Sequence, residues 1–239
     1  MPKPAKRKGA TTIVSRGAPR PKRQASTRRV KGGERGERAE RRDPLATDGG
    51  VRHDAPARPF ISPGARDPLE HCRALIRDVP DFPTRGILFK DITPLLADPR
   101  AFHIVLDSIA ERYIGEHIDA IVGIEARGFI FGGALAARLN ASFVPARKPG
   151  KLPAASDRVT YRTEYSVAEL EMHKDSIHEE SHVIVVDDLL ATGGTAKAAA
   201  ELVRRQGGYV VGYAFVLELA FLRGREKLLP VRVESVITY

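Results

Sequence analysis

The sequence is poor in cysteine, with Cys72 alone among 239 residues, and it contains no tryptophan. A single cysteine excludes an internal disulfide and is typical of a reducing compartment, so we expect a cytoplasmic protein. Long apolar runs are also missing. The longest stretch without a charged residue, 206–217, is too short to span a bilayer.

Acidic residues are absent from the first 33 positions. Residues 1–42 hold 15 Lys and Arg against three acids, whereas residues 43–239 hold 24 basic and 27 acidic residues. The N-terminal segment also has few large apolar side chains, so it cannot bury enough surface to offset the entropy of ordering. We therefore expect residues 1–66 to be a disordered basic tail and linker, and residues 67–239 to be the folded domain.

Helical and extended patterns alternate along residues 67–239. Helices are predicted over 68–78, 99–113, 128–139 and 194–206, and strands over 120–124, 142–145, 182–186, 209–217 and 231–238. Residues 80–96 predict a shaped loop with a short extended segment at 87–89, and 159–165 predict an exposed hairpin arm. Strands separated by helices predict an α/β fold with a mainly parallel sheet flanked by helices.

Residues 183–196, VIVVDDLLATGGTA, join an apolar strand to two adjacent carboxylates and a small-residue loop that opens a helix. Backbone amides of Thr192 to Thr195 at the helix start, with two Thr hydroxyls, predict an anion site that suits a phosphate monoester. Asp187 and Asp188 repel phosphate, but each can accept a hydrogen bond from a vicinal diol. Phosphate beside a diol predicts ribose 5-phosphate. The loop matches neither a Walker A motif nor GxGxxG.

The same stretch resembles the binding signature for 5-phosphoribosyl 1-diphosphate (PRPP) in type I phosphoribosyltransferases. Further segments are similar to the adenine phosphoribosyltransferase family, in the same order along the chain: PDFPTRGILFKDITPLL (80–96), GIEARGFIFG (123–132), RKPGKLP (147–153) and TEYSVAELEMHKDSI (163–177). The resemblance covers about 67–239 and leaves out the tail. It implies the type I phosphoribosyltransferase fold with a small hood, here residues 80–96, and a flexible lid hairpin.

The resemblance also implies an activity and its ligands. The family transfers the phosphoribosyl group of PRPP to adenine, giving AMP and pyrophosphate, a glycosyltransferase reaction of purine salvage. The 5-phosphate would be held by Ala191, Thr192, Gly193, Gly194 and Thr195, and the ribose hydroxyls by Asp187 and Asp188. Mg²⁺ is expected as the cofactor, held mainly by PRPP oxygens with the two aspartates nearby. A homodimer is also implied.

The remaining roles come from the same resemblance. Pyrophosphate would be bound by Arg127, Arg147, Lys148, Lys151 and Tyr165, and adenine by Leu88, Phe89, Lys90 and Leu219. Glu164, on the lid, would be the acid/base group at the purine ring. The family often has a cis peptide in the loop before the arginine, here Glu125–Ala126.

Other interpretations stay open from the sequence. A phosphoribosyltransferase for hypoxanthine, guanine or xanthine would share the 183–195 signature but not the hood. A regulator that senses PRPP or binds RNA would retain the fold, and the basic tail could bind phosphate backbones weakly and without sequence preference. The tail also has two simpler interpretations, an organelle transit peptide or translation from a start at Val51, which would give an ordinary family length.

Overall fold

The computed structural model describes residues 67–162 and 167–239. Glu164 and Tyr165, the predicted acid/base group and one predicted pyrophosphate contact, lie outside the described residues. None of the helices in the described part of the chain is long and apolar enough to cross a membrane.

The described ranges contain five α-helices and nine strands. The helices are α1 (Pro68–Ala74), α2 (Thr93–Ala97), α3 (Pro99–Ala110), α4 (Gly128–Leu139) and α5 (Gly194–Arg205). The strands are β1 (Arg77–Pro80), β2 (Leu88–Asp91), β3 (Ala120–Ile124), β4 (Ser142–Ala146), β5 (Ser156–Arg162), β6 (Val167–His173), β7 (His182–Leu190), β8 (Tyr209–Glu218) and β9 (Val233–Thr238). Short 3₁₀ turns span Glu111–Tyr113, Ala220–Leu222 and Gly224–Lys227.

A five-stranded sheet in the order β4-β3-β7-β8-β9 forms the centre of the described fold, and all its neighbouring strands are parallel. Alternate residues of β7 pack on opposite faces. Val183 and Val185 join the core under α5, while Ile184 and Val186 join the core under α1, α3 and α4. A strand buried on both faces has to be apolar at nearly every position. The predicted α/β fold, a mainly parallel sheet flanked by helices, is confirmed.

Capping by neighbouring residues explains where helix α3 begins. Asp98 Oδ1 accepts a hydrogen bond from the Ala101 amide at 2.9 Å, and Pro99 occupies the first turn of α3. A capping carboxylate and an N-terminal proline both favour a helix start. The last three residues of the predicted helix over 99–113 form a 3₁₀ turn instead.

Two small antiparallel pairs stand beside the sheet. The first joins β1 to β2, so the predicted helix over 68–78 was too long: Arg77 and Asp78 pair with Asp91 and Lys90. The hood therefore contains β2, and it also contains α2, which the sequence analysis did not predict. The second pair, β5 with β6, contains the described part of the predicted hairpin arm.

Strand β7 is longer than predicted. It was expected to end at Val186, but it continues to Leu190 because β8 runs alongside it, pairing Asp187 with Phe215 and Leu190 with Glu218. The two aspartates are therefore strand residues, held by the sheet. The last strand begins at Val233 and not at 231.

Candidate active site

The loop between β7 and α5 lies at the carboxyl edge of the sheet, where ligands bind in open α/β folds. Gly193 has φ +77°, in the left-handed region that favours glycine, and it immediately precedes α5. The first four amides of an α-helix have no partner within the helix. A cleft is lined here by Asp187 and by Ala191, Thr192, Gly193, Gly194 and Thr195, the predicted phosphate loop. The loop has the geometry of an anion site.

The two aspartates occupy different surroundings. Asp188 is buried, and its Oδ2 accepts a short hydrogen bond from Arg127 Nε. Asp187 Oδ1 accepts a hydrogen bond from the Asp188 amide at 2.9 Å. Burial, and next the negative charge of Asp188, raise the pKa of Asp187 well above its ordinary value. Asp187 is thereby shifted toward its neutral form, and the neighbouring Asp188 is paired with Arg127.

Gly128 permits a close approach between α4 and β7. A methyl group on Gly128 would lie 2.7 Å from the Val186 carbonyl oxygen and 3.0 Å from Asp187 Oδ1. Any larger residue would push the start of α4, with Arg127, away from the aspartates. The sequence analysis included this glycine in the segment GIEARGFIFG but did not assign it this packing role.

Arg127, predicted to bind pyrophosphate, contacts residues predicted to bind ribose and adenine. It is the residue before α4, its Nε donates to Asp188, and its guanidinium carbon lies 5.3 Å from the centre of the Phe89 ring. The predicted ribose, pyrophosphate and adenine residues therefore meet around one side chain. Such contact between a guanidinium and an aromatic face is favourable.

The predicted basic residues of 147–151, which we call the basic loop, gather around the carboxylate of Glu125, whose side chain is 9% exposed. Glu125 accepts hydrogen bonds from Lys151 Nζ at 2.9 Å, from the Lys148 amide at 3.0 Å and from Arg147 Nη2 at 3.3 Å. Burial alone would raise the pKa of Glu125, but these donors together lower it to about 2. The peptide bond Glu125–Ala126 is cis, as expected. Glu125 was not predicted as a site residue.

A second carboxylate joins the basic loop to the lid strands. Glu171, buried in β6, accepts from the Gly150 amide at 3.0 Å and from Arg158 Nε of β5 at 2.9 Å. The hydrogen bond from the Gly150 amide lowers the pKa of Glu171. Burial opposes this shift, Arg158 adds to it, and the pKa is lowered overall. The described base of the lid is therefore tied to the basic loop.

The predicted adenine residues lie on the hood and at the end of β8. Phe89 is half-buried and contacts Phe82 edge-to-face, with ring centres 5.1 Å apart, while half of Leu88 is exposed. The Lys90 side chain turns away, donating to Asp78 Oδ1 at 2.6 Å with its Nζ 4.0 Å from the centre of the Tyr239 ring. The Lys90 side chain is therefore engaged by Asp78 and Tyr239.

Leu219 follows β8, and its amide donates to the Leu190 carbonyl at 2.9 Å. The next amide, that of Ala220, donates to the Tyr239 carbonyl at 2.9 Å. Since the Tyr239 ring also contacts Lys90, Tyr239 is a neighbour of both the hood and the Leu219 segment. This link was not predicted, because no local pattern marks it.

Metal binding by protein groups alone has no support in the described residues, where no cluster of three or more His, Cys, Asp or Glu side chains could hold an ion. Asp187 lines the cleft, and the adjacent Asp188 is buried and paired with Arg127. This arrangement fits Mg²⁺ that reaches the site on a substrate's oxygens, with the carboxylates nearby.

Comparison with known proteins identifies relatives along most of the folded part. Residues 95–237 match the family model described as phosphoribosyl transferase domain. The adenine phosphoribosyltransferase of Sorangium cellulosum (strain So ce56) is 70% identical over 160 residues, which are 67% of this chain and 80% of that protein.

Solved structures agree. The crystal structure of adenine phosphoribosyltransferase from Thermoanaerobacter pseudethanolicus has a TM-score of 0.70 and 49% identity, covering 72% of this chain and 99% of that one. The Saccharomyces cerevisiae enzyme, complexed with an imino-altritol bisphosphate and adenine, has a TM-score of 0.67 and 41% identity, covering 71% and 98%. Together with the site geometry, these matches show that the chain belongs to the adenine phosphoribosyltransferase family.

Proposed function

We propose that this protein transfers the 5-phosphoribosyl group of PRPP to adenine, giving AMP and pyrophosphate in purine salvage. The observation that carries the proposal is the position of Arg127, which contacts Asp188 on one side and the Phe89 ring on the other. A single substrate complex, with base, ribose and diphosphate in one line, would require these residues to be neighbours.

In the reaction, the bond from ribose C1 to the diphosphate oxygen breaks ahead of the formation of the bond from C1 to adenine N9. The N9 proton is lost, and the bonding electrons leave with pyrophosphate. Asp187 and Asp188 would accept hydrogen bonds from the ribose hydroxyls, while the phosphate loop holds the 5-phosphate. Holding both reactants in line replaces a bimolecular encounter by a positioned one.

The leaving group is a highly charged anion, and preorganised donors stabilise such charge best. Arg127, Arg147, Lys148 and Lys151 supply this positive charge, with Tyr165 of the lid as a further contact. Glu164 would move the proton at the purine ring. Closure of the lid would exclude water, which otherwise hydrolyses the activated ribose.

Mg²⁺ would be held mainly by PRPP, with Asp187 and Asp188 nearby, and it would neutralise charge on the diphosphate. The protein's own part is to leave room at the cleft and to present two carboxylates there.

Adenine recognition would rest on Phe89 as a stacking surface, on backbone groups of Leu88 and Lys90, and on Leu219. In the Saccharomyces cerevisiae relative the ligands named with the structure are a bisphosphate and adenine. This supports adenine over hypoxanthine, guanine or xanthine as the acceptor here.

The decisive assay offers PRPP with each of these four bases to the full chain, with Mg²⁺ and with a chelator, and measures nucleotide by chromatography. AMP should dominate and should depend on Mg²⁺. The double variant Asp187→Asn with Asp188→Asn should lose PRPP use while retaining its circular dichroism spectrum. Preferential formation of another nucleotide would overturn the proposal.

We also propose a homodimer that uses the β4 edge of the sheet. Here Phe143 is 37% exposed and Ile130 of α4 is 43% exposed, and the Phe129 ring lies 5.8 Å from the Phe143 ring. β4 is an edge strand of the five-stranded sheet, and Arg147, just beyond its end, is bridged to Glu171 of β6, so the proposed partner would contact residues 142–146. The same face lies beside Arg147, whose guanidinium carbon is 5.9 Å from the centre of the Phe129 ring.

The transferase domain proposed here comprises residues 67–239, and the basic segment 1–66 would add weak, nonspecific affinity for nucleic acid. Fifteen Lys and Arg within residues 1–42 support this addition, since such affinity depends on phosphate contacts.

Cys72 is buried and unbridged, which supports a reducing location, and we propose the cytoplasm.

A further inference from the structure

The 3₁₀ turn Gly224–Lys227 packs directly against the phosphate loop, although it is about thirty positions away in the sequence. A methyl group on Gly224 would lie 2.1 Å from the Ala191 carbonyl oxygen and 3.0 Å from the Gly193 nitrogen. A methyl group on Gly193 would lie 2.5 Å from the Gly224 carbonyl oxygen. The two backbones are therefore in contact, and neither offers a flexible side chain that could move aside.

The position of this turn is set by an ion pair between Arg225, whose side chain is 44% exposed, and the buried Glu218. Arg225 Nε and Nη2 donate to the two oxygens of Glu218 at 3.1 and 2.5 Å, and Arg225 Nη1 donates to the Val233 carbonyl at 2.6 Å. Glu218 is the last residue of β8 and is buried. Bidentate pairs of this kind restrict geometry as well as adding energy. The turn is thereby fixed to the ends of β8 and β9.

Leu219, predicted to close the adenine pocket, directly follows Glu218. One rigid connection therefore runs from the loop at Ala191 and Gly193, through Gly224 and Arg225, to the strand end that carries Leu219. The distance between the phosphate loop and the base pocket is the distance that the ribose must span.

We propose that Gly224, held in place by the Arg225–Glu218 pair, is a positioning residue that sets the phosphate loop at the reach of PRPP. This inference rests on the proposed function and on the assignment of the 5-phosphate to residues 191–195. Gly224 touches no substrate. It acts through the backbone of the loop, and its lack of a side chain is the property that matters.

Gly224→Ala tests the contact by itself. Gly224, unlike Gly193, does not have a positive φ, so alanine can adopt its backbone conformation and only the clash with Ala191 and Gly193 remains. We expect the KM for PRPP to rise about tenfold or more, with the KM for adenine within twofold of wild type and the far-ultraviolet circular dichroism unchanged. Binding of ribose 5-phosphate, measured by calorimetry, should weaken in parallel.

A matched pair of variants on the same turn separates positioning from general damage. Arg225→Lys retains the charge but loses the bidentate pair, and it should raise the KM for PRPP in a folded protein. Arg223→Gln breaks only the exposed pair of Arg223 with Glu226, whose side chains are 74% and 56% accessible, and it should leave both KM values unchanged. If Gly224→Ala does not fold, Arg225→Lys decides the matter.

The outcomes are distinguishable from failure of the proposed function. Wild-type protein that forms no AMP would overturn the function itself. An active wild type in which Thr195→Val raises the KM for PRPP, while folded Gly224→Ala and Arg225→Lys leave it within twofold, would overturn this inference alone. An equal rise in the KM for adenine and for PRPP would also overturn it, since a displaced phosphate loop should affect PRPP first.

Discussion

Three carboxylates with little solvent exposure lie around the candidate active site, and each is matched to basic or amide donors. Glu125 gathers the basic loop, Glu171 ties that loop to the lid strands, and Glu218 holds Arg225. A carboxylate with so little exposure that lost its donors would carry an uncompensated charge, which is more costly than the pairing is favourable. These acids therefore keep the cations in position before any anion binds.

At the residue scale, Glu125→Gln should reduce stability in a pH-dependent manner. The pKa of Glu125 is about 2 in the folded protein against 4.5 ordinarily, so its contribution is fully present above about pH 4.5. As the pH falls from 4.5 toward 2, the carboxylate is protonated in the folded state as well, and the contribution is lost. The difference in urea midpoint between wild type and variant should therefore shrink over this interval.

A control for this experiment is Glu226→Gln, which removes an exposed carboxylate paired with Arg223. Exposed pairs contribute little, so its urea midpoint should follow wild type at every pH. A gap for Glu125→Gln that stays constant from pH 7 to pH 3 would contradict the assigned pKa.

At the scale of elements, long periodic segments were predicted well and their junctions were not. The strand Ala120–Ile124 and the helix Gly128–Leu139 agree with prediction in both bounds. Strand β7 was predicted too short, because aspartates are rare in strands and only pairing with β8 extends it to Leu190. Helix α1 was predicted too long, since pairing of β1 with β2 competes for the residues after Ile76.

The face formed by α4 and β4 yields a prediction at this scale. Ile130→Glu should convert a dimer into a monomer, since it places a charge in an apolar contact without disturbing the core below. Sedimentation velocity measures the change. Phe143 is a poorer choice because its ring packs on Gly123 and Gly132, so its loss would damage the fold.

The control is Arg138→Gln. Arg138 lies on the same helix and forms an ion pair with Asp107, so this variant should sediment as wild type does. A wild-type sedimentation coefficient for Ile130→Glu would contradict the proposal that the dimer uses this face.

At the scale of the whole molecule, the charge divides the chain into two parts with separate expected roles. A truncated protein comprising residues 67–239 should retain the KM values for adenine and PRPP, because every predicted site residue lies within it.

Binding of the full chain to a nonspecific DNA duplex should fall steeply with salt and should be lost on truncation. Fluorescence anisotropy measures this binding. Duplex binding by the full chain that is absent even at low salt would exclude the role proposed for the basic segment.

The family, the alternation of strands and helices, and the loop chemistry of residues 187–195 follow from the amino-acid order alone, because they depend on neighbouring residues and their periodicity. Three contacts became visible in the folded chain alone: Arg127 contacts both Asp188 and Phe89, Glu125 gathers the basic loop, and Gly224 packs against Gly193. Those contacts join residues that are tens of positions apart. Their partners are chosen by strand order and backbone packing, which no local pattern encodes.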